Sequence, residues 1–263
     1  MSSTAVQGRT DGGIHRRVEH IMGMPISLAL RGRHTATAEA HQAWQEVINQ
    51  LREVDQIFST YRDDSIINRL DRGELLIEEC PPEVAEVLNL GRQAERQSDG
   101  AFSINIPLPD GRRRLDPSGV VKGWAVQRAA GFLDALEETD YCLSAGGDLV
   151  CHTADPVRPA WRIGIENPHD TMSLIAVVPI RSGAVATSGT AHRGRHLIDP
   201  RTGQHPSAVA SATVISDSLT WADIDATAAY VQGRHAVSWL ATRPIRSALI
   251  VWADGTTTRL PKT

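Results

Sequence analysis

Asp223 and Thr227 stand four residues apart in "WADIDATAAY" (residues 221–230), a run otherwise made mostly of small apolar residues. A helix would set the carboxylate and the hydroxyl side by side on one face. Both are hard oxygen donors, which suits Mg²⁺ better than a soft metal. The competing reading is an N-terminal cap, with Thr220 or Asp223 taking free backbone N–H groups near the positive helix end. Taken alone, the pair favours the cap. Asp225 falls elsewhere on the same helix and is expected toward solvent or behind the pair.

Three further stretches carry chemistry-bearing residues. In "LDPSGVVKGW" (residues 115–124), Gly119 and Gly123 flank Lys122 at what reads as a turn entering a helix. Backbone N–H groups at a helix start attract phosphate, and a lysine adds a point charge. The pattern is neither a P-loop nor a dinucleotide glycine fingerprint, and a tight turn with a surface lysine explains it too. "SAGGDL" (residues 144–149) ends a strand on two glycines, which permit either close ligand approach or a plain β-turn. "ATSGTAHRGRHLIDPRTGQHP" holds His192, His196 and His205, with Ser188–Gly189 as a turn and residues 196–199 as a short strand ending in a "DPRTG" turn. Histidine suits a general base near neutrality, although each histidine alone reads more simply as structural or surface. Asp199, before a proline, reads as a turn cap.

The elements that must position these segments come in uneven runs. "PISLAL" (residues 25–30) reads as a strand, and Trp44, Val47, Ile48, Leu51, Val54 and Phe58 mark an amphipathic helix over residues 36–58. Helices follow from "PPEVAEV" and over residues 120–136. Then come the strand-like segments "YCLSAGGDLVCH", "WRIGIEN", "SLIAVVPI", "GAVATSG", "RHLIDP" and "AVASATVIS", the helix carrying Asp223, a helix near "HAVSWLATR", and "SALIVWAD" as the last strand. This order is not a regular βαβ alternation and predicts an α+β fold with a largely antiparallel sheet. Residues 1–17 read as a disordered tail and 18–263 as a single domain. The 263 residues, 41% hydrophobic and 22% charged, describe an ordinary globular protein. A formal net charge of −4 supplies no basic field for nucleic acid. Cys80, Cys142 and Cys151 form no metal spacing and read as small packing residues. The first residues lack an apolar signal core and no stretch approaches a membrane span, so the expectation is a cytoplasmic protein without a membrane anchor.

In order along the chain, "MGMP", "FSTYRDDSIINRL", "GAFSI", "LDPSGVVKGWAV", "AGGDL", "WRIGIENP", "VATSG", "HLIDPRTGQHP" and "ADIDATA" resemble the FAD:protein FMN transferases, the ApbE-like flavin transferases. The combination of "ATSG", "HLIDPRTG" and "ADIDATA" in one chain is the specific part. The resemblance implies an ApbE-like, T-fold-related α+β domain: a mixed, largely antiparallel sheet with flanking helices. It also implies an activity, cleavage of the FAD pyrophosphate with Mg²⁺, release of AMP, and attachment of FMN to a Thr or Ser hydroxyl of an acceptor protein.

By resemblance Asp223 and Thr227 ligate the metal together with a backbone carbonyl at Val121, and His196 deprotonates the acceptor hydroxyl, a weak nucleophile without a base. Asp116 and Lys122 fall in the cofactor-binding segment. Gly146 and Gly147, Ser188 and Gly189 line the pocket, and Met24 and Tyr61 border the flavin ring. Ser144, Met24 and Ser103 depart from the family's usual residues. Two alternatives stand beside transfer: hydrolysis of FAD to FMN and AMP, and a flavin-binding protein without chemistry.

Overall fold

The computed structural model describes residues 9–11, 13–108, 110–191, 194 and 197–261. The chain runs β1 (Arg9–Asp11), β2 (Ile14–Ile21), β3 (Met24–Gly32), α1 (Ala38–Phe58), α2 (Ile66–Asp71), α3 (Pro82–Gln97), β4 (Asn105–Pro107), β5 (Arg113–Leu115) and α4 (Ser118–Ala130). It continues through β6 (Thr139–Ala145), β7 (Asp148–His152), β8 (Trp161–Asn167), β9 (Asp170–Ile180), β10 (Gly183–Gly189), β11 (Val209–Ser216), α5 (Leu219–Gln232), α6 (Ala236–Leu240), β12 (Ser247–Trp252) and β13 (Thr257–Pro261). Nine strands form one sheet in the order β1-β2-β3-β6-β7-β10-β11-β12-β13, and every pairing between them is antiparallel. The α+β expectation with a largely antiparallel sheet is met.

Apolar spacing explains how each face is covered. The buried stripe of α1 (Ala40, Trp44, Val47, Ile48, Leu51, Val54, Phe58) recurs every three or four residues, and Thr37 caps its start by accepting the Ala40 N–H at 3.4 Å. That stripe joins a core with Ile26, Leu28 and Leu30 of β3, Trp124 of α4 and Ile224 of α5. Almost all of α5 is buried, because its small residues let it lie close to both the sheet and α4. Gly123 is the tightest point of that approach. A Cβ there would sit 2.8 Å from the Leu219 carbonyl oxygen and 2.9 Å from Asp223 Cβ. On the opposite sheet face, the β8–β9 hairpin brings Trp161 and Ile180 down onto Ala29, Leu149, Val185 and Ile215. Cys142 and Cys151 are cross-strand neighbours beneath it, their sulfurs 3.3 Å apart as free thiols.

Several expectations change. The tail does not extend to residue 17: β1 pairs with β2, and β2 pairs with β3 from His15 to Ile21. Its alternation is weak because polar "HRRVEH" fills a strand near the sheet edge. Residues 1–8 lie outside the described part. The helix expected over 120–136 ends at Ala130, where Gly131 begins a series of tight turns. Residues 197–199 are not a strand, since the backbone folds into the Asp199 turn instead. The last strand is β13, which pairs back on β12. Among the described residues no helix is long and apolar enough to cross a membrane.

Candidate functional site

The site forms where α4 and α5 meet the ends of β3, β7 and β10. Ser218, not Asp223, caps α5: its side chain accepts the Trp221 N–H at 3.4 Å and donates to Gln127 Oε1 of α4 at 2.8 Å. Asp223 and Thr227 therefore lie one and two turns further in, freed from capping. Asp223 is buried, with Oδ2 accepting the Gly123 N–H at 3.1 Å. Thr227 Oγ1 lies 2.8 Å from Ser188 Oγ at the end of β10.

Lys122 is part of α4 proper rather than of a turn before it. Its ammonium reaches across to Asp223 Oδ1 at 3.3 Å and pairs more closely with Asp148 Oδ2. Asp148 is in turn fixed by accepting the Thr187 N–H on Oδ1 at 2.8 Å. Burial alone would lower the lysine, but Asp223 and Asp148 outweigh it and hold its pKa above the ordinary lysine range. Burial pushes Asp223 above the usual carboxylate range, Lys122 opposing and Asp148 adding. One ammonium between two ionised carboxylates leaves this corner with one net negative charge.

Gly146 and Gly147 close the β6–β7 hairpin with φ of 57° and 100°, the left-handed pair that a tight two-residue turn requires. This turn delivers Asp148 to the site. The β2–β3 turn sets Met22 at φ 57°, a conformation uncommon outside glycine, beside Gly23 at 71°. Asp116 accepts from the Ser118 N–H at 3.2 Å, from Ser118 Oγ at 2.6 Å and from Arg114 at 2.9 Å, so it also orders the entry to α4.

One cavity of about 1090 Å³ opens at this corner. Met24, Tyr61, Asp116, Val121, Lys122, Gly146, Gly147, Ser188, Gly189, Asp223 and Thr227 line it together. Tyr61 stands 98% exposed on the rim, while Met24 is buried in the wall. His196 and His192 lie outside the described residues. His205 faces away into a turn, Nδ1 2.9 Å from the Leu197 carbonyl, and Asp199 caps the "DPRTG" turn by accepting the Arg201 N–H at 2.9 Å.

Asp148 is the cavity residue that spacing did not single out. Its only sequence signal was its place directly after the glycine pair. Of the two expectations for Asp225, the solvent-facing one is overturned: it is buried, pushed up to about 6 by burial against the pull of Arg243, whose Nε donates to it at 3.0 Å. Among the described residues, no three His, Cys, Asp or Glu side chains cluster as a metal cage. The carboxylate of Asp223, the hydroxyl of Thr227 and a backbone carbonyl are hard oxygen donors that fit Mg²⁺ rather than a transition metal.

The model of the ApbE family matches residues 22–108 and 106–250. This chain belongs to the ApbE family. Every cavity residue named above falls within the two matched segments. As an ApbE-family member it is 31% identical over 159 residues to the FAD:protein FMN transferase of Rhodobacter capsulatus, covering 57% of this chain and 30% of that protein. It is 33% identical over 131 residues to the FAD:protein FMN transferase of Vibrio cholerae, covering 46% of this chain and 39% of the relative. The match thus spans well under half the length of these two relatives. The fold is that of solved ApbE proteins. The Pseudomonas stutzeri flavinyl transferase ApbE, apo form, superposes with a TM-score of 0.78 at 24% identity, covering 97% of this chain and 95% of that one. The ApbE protein of Thermotoga maritima gives 0.78 at 20% identity, covering 94% and 96%.

Proposed function

We propose that the chain is a Mg²⁺-dependent FAD:protein FMN transferase. What supports this is one cavity in which a carboxylate–hydroxyl pair, a lysine and a glycine turn face the same space. Its volume of about 1090 Å³ stands at the upper end of ligand pockets, which run to roughly 1,000 Å³, and suits a dinucleotide. Asp223, Thr227 and the Val121 carbonyl would hold the metal. When bound, such a cation neutralises charge on the pyrophosphate oxygens.

The chain's own residues supply the rest. Lys122 binds the phosphoryl groups, and the Gly146–Gly147 and Ser188–Gly189 backbones allow close approach. Met24 and Tyr61 border the flavin ring, with Met24 packed in the wall and Tyr61 free to close over a ligand. His196 is the proposed base, taking the proton of the acceptor Thr or Ser hydroxyl. The hydroxyl oxygen bonds to the FMN phosphorus as the bond to the AMP phosphate breaks, and AMP carries away the electron pair. Most of the rate enhancement is then positioning and charge neutralisation.

The test is incubation of the purified chain with FAD, Mg²⁺ and a threonine-bearing acceptor, followed by chromatography and intact-mass analysis. AMP release with an FMN-sized mass gain on the acceptor, lost in EDTA and in Asp223→Ala, is expected. Free FMN and AMP without an adduct would instead identify a hydrolase. Intact FAD under every condition overturns the enzymatic reading.

A further inference from the structure

Lys122 has more partners than a phosphate-binding lysine needs. Its ammonium is shared between Asp148 and Asp223, on two different elements, and both carboxylates are buried. Neither carboxylate is free to drift, since Asp148 Oδ1 holds the Thr187 N–H and Asp223 Oδ2 holds the Gly123 N–H. The Asp223 oxygen that remains, Oδ1, is the one facing Lys122 at 3.3 Å. A divalent cation drawing on Asp223 must therefore contend with an ammonium already at that carboxylate. In a buried corner two cations cannot share one oxygen cheaply.

We propose that Lys122 is a built-in competitor for the metal, neutralising Asp223 until a divalent cation and a pyrophosphate-bearing ligand enter together. This rests on the metal and pyrophosphate reading of the cavity given above. Asp148 is the tether: it keeps the ammonium in the cavity once Asp223 is released. The anionic phosphoryl oxygens then give Lys122 the second partner it has lost. Two consequences follow. Metal alone binds weakly, and metal and pyrophosphate each strengthen the other's binding by the same factor, as linkage demands.

The experiment measures Mn²⁺ affinity of the full-length chain by calorimetry and electron paramagnetic resonance, with and without ADP as a non-flavin pyrophosphate probe. No turnover is involved. In the wild type, ADP should tighten Mn²⁺ binding at least about tenfold. Lys122→Met should bind Mn²⁺ without ADP at least about tenfold more tightly than the wild type and lose most of the ADP effect. Because Lys122→Met leaves two buried carboxylates unpaired, Asp148→Asn serves as a second variant that keeps one cation against one anion. There Lys122 falls wholly to Asp223, and Mn²⁺ alone should bind at least about threefold more weakly.

Lys122→Met binding Mn²⁺ no more tightly than wild type, or keeping the full ADP effect, overturns the proposal, as does unweakened binding in Asp148→Asn. Absence of Mn²⁺ binding in all three proteins also overturns it. The transferase reading is judged separately, on FMN and AMP formation by the wild type.

Discussion

Ser188 Oγ and Thr227 Oγ1 lie 2.8 Å apart, tying the end of β10 to the middle of α5. The contact fixes the rotamer of a hydroxyl that is otherwise free to turn, and it aims Thr227 into the cavity. Thr227→Val keeps the branched shape and removes the oxygen. A single neutral hydrogen bond contributes about 1 kcal/mol, so urea unfolding should show a loss of that order. Mn²⁺ affinity measured with ADP present should fall at least about tenfold. A variant that unfolds like the wild type and binds the metal equally well would remove Thr227 from the ligand set.

Gly123 governs the spacing of the two helices that carry the site. Gly123→Ala would push a methyl group against the Leu219 carbonyl and the Asp223 side chain. Overpacking of this kind costs about 1–3 kcal/mol, because neither backbone nor buried carboxylate can yield easily. Thermal unfolding should register that loss. FMN formation should drop further than stability predicts, since the substitution displaces Asp223 itself.

Arg243 is the one charged group hydrogen-bonded to buried Asp225 among the described residues, and its guanidinium also stacks over Trp221 and Trp239. Arg243→Met leaves the carboxylate buried and unpaired. Such a loss costs about 3 kcal/mol or more in a dry interior, and somewhat less here because Arg243 keeps some contact with solvent. Replacing both residues, as Asp225→Leu with Arg243→Met, should cost less than Arg243→Met alone. Denaturant titration of the two variants decides it.

Tyr141 donates to Asp134 Oδ1 at 2.7 Å, and burial first, then that hydrogen bond and the carboxylate charge, raise its pKa above the ordinary tyrosine value. The folded chain therefore keeps the phenolic proton where the unfolded chain loses it, and the stabilisation is full below about pH 10 and declines above it. Tyr141→Phe should be less stable than wild type by about 1–2 kcal/mol at about pH 8. The gap should narrow at about pH 11. A constant gap across that range would show that the hydroxyl does not feel its burial.

Periodicity located the elements that bury one clear face, as with the stripe from Trp44 to Phe58 on α1. It failed where burial is complete or position in the sheet overrides pattern. β2 carries mostly polar residues because it lies near a sheet edge, so "HRRVEHI" gives no alternation to read. The site was legible only as pieces. Asp223 and Thr227 showed their shared face through spacing, but nothing in spacing links Lys122 on α4 to Asp148 across a sheet turn. Spacing left Asp225 either toward solvent or behind the pair, because its partner, Arg243, lies beyond the end of its own helix.

The cavity draws Met24 from the third strand of the chain and Thr227 from its last long helix, with Lys122 and Asp148 between them. Contacts between such distant segments are among the last a chain can make, because the intervening loops must close first. The site is therefore born late. A ribosome-bound or truncated chain ending before α5 would hold Met24, Lys122 and Asp148 without Asp223 and Thr227, so the carboxylate–hydroxyl pair joins the cavity only once α5 has been made.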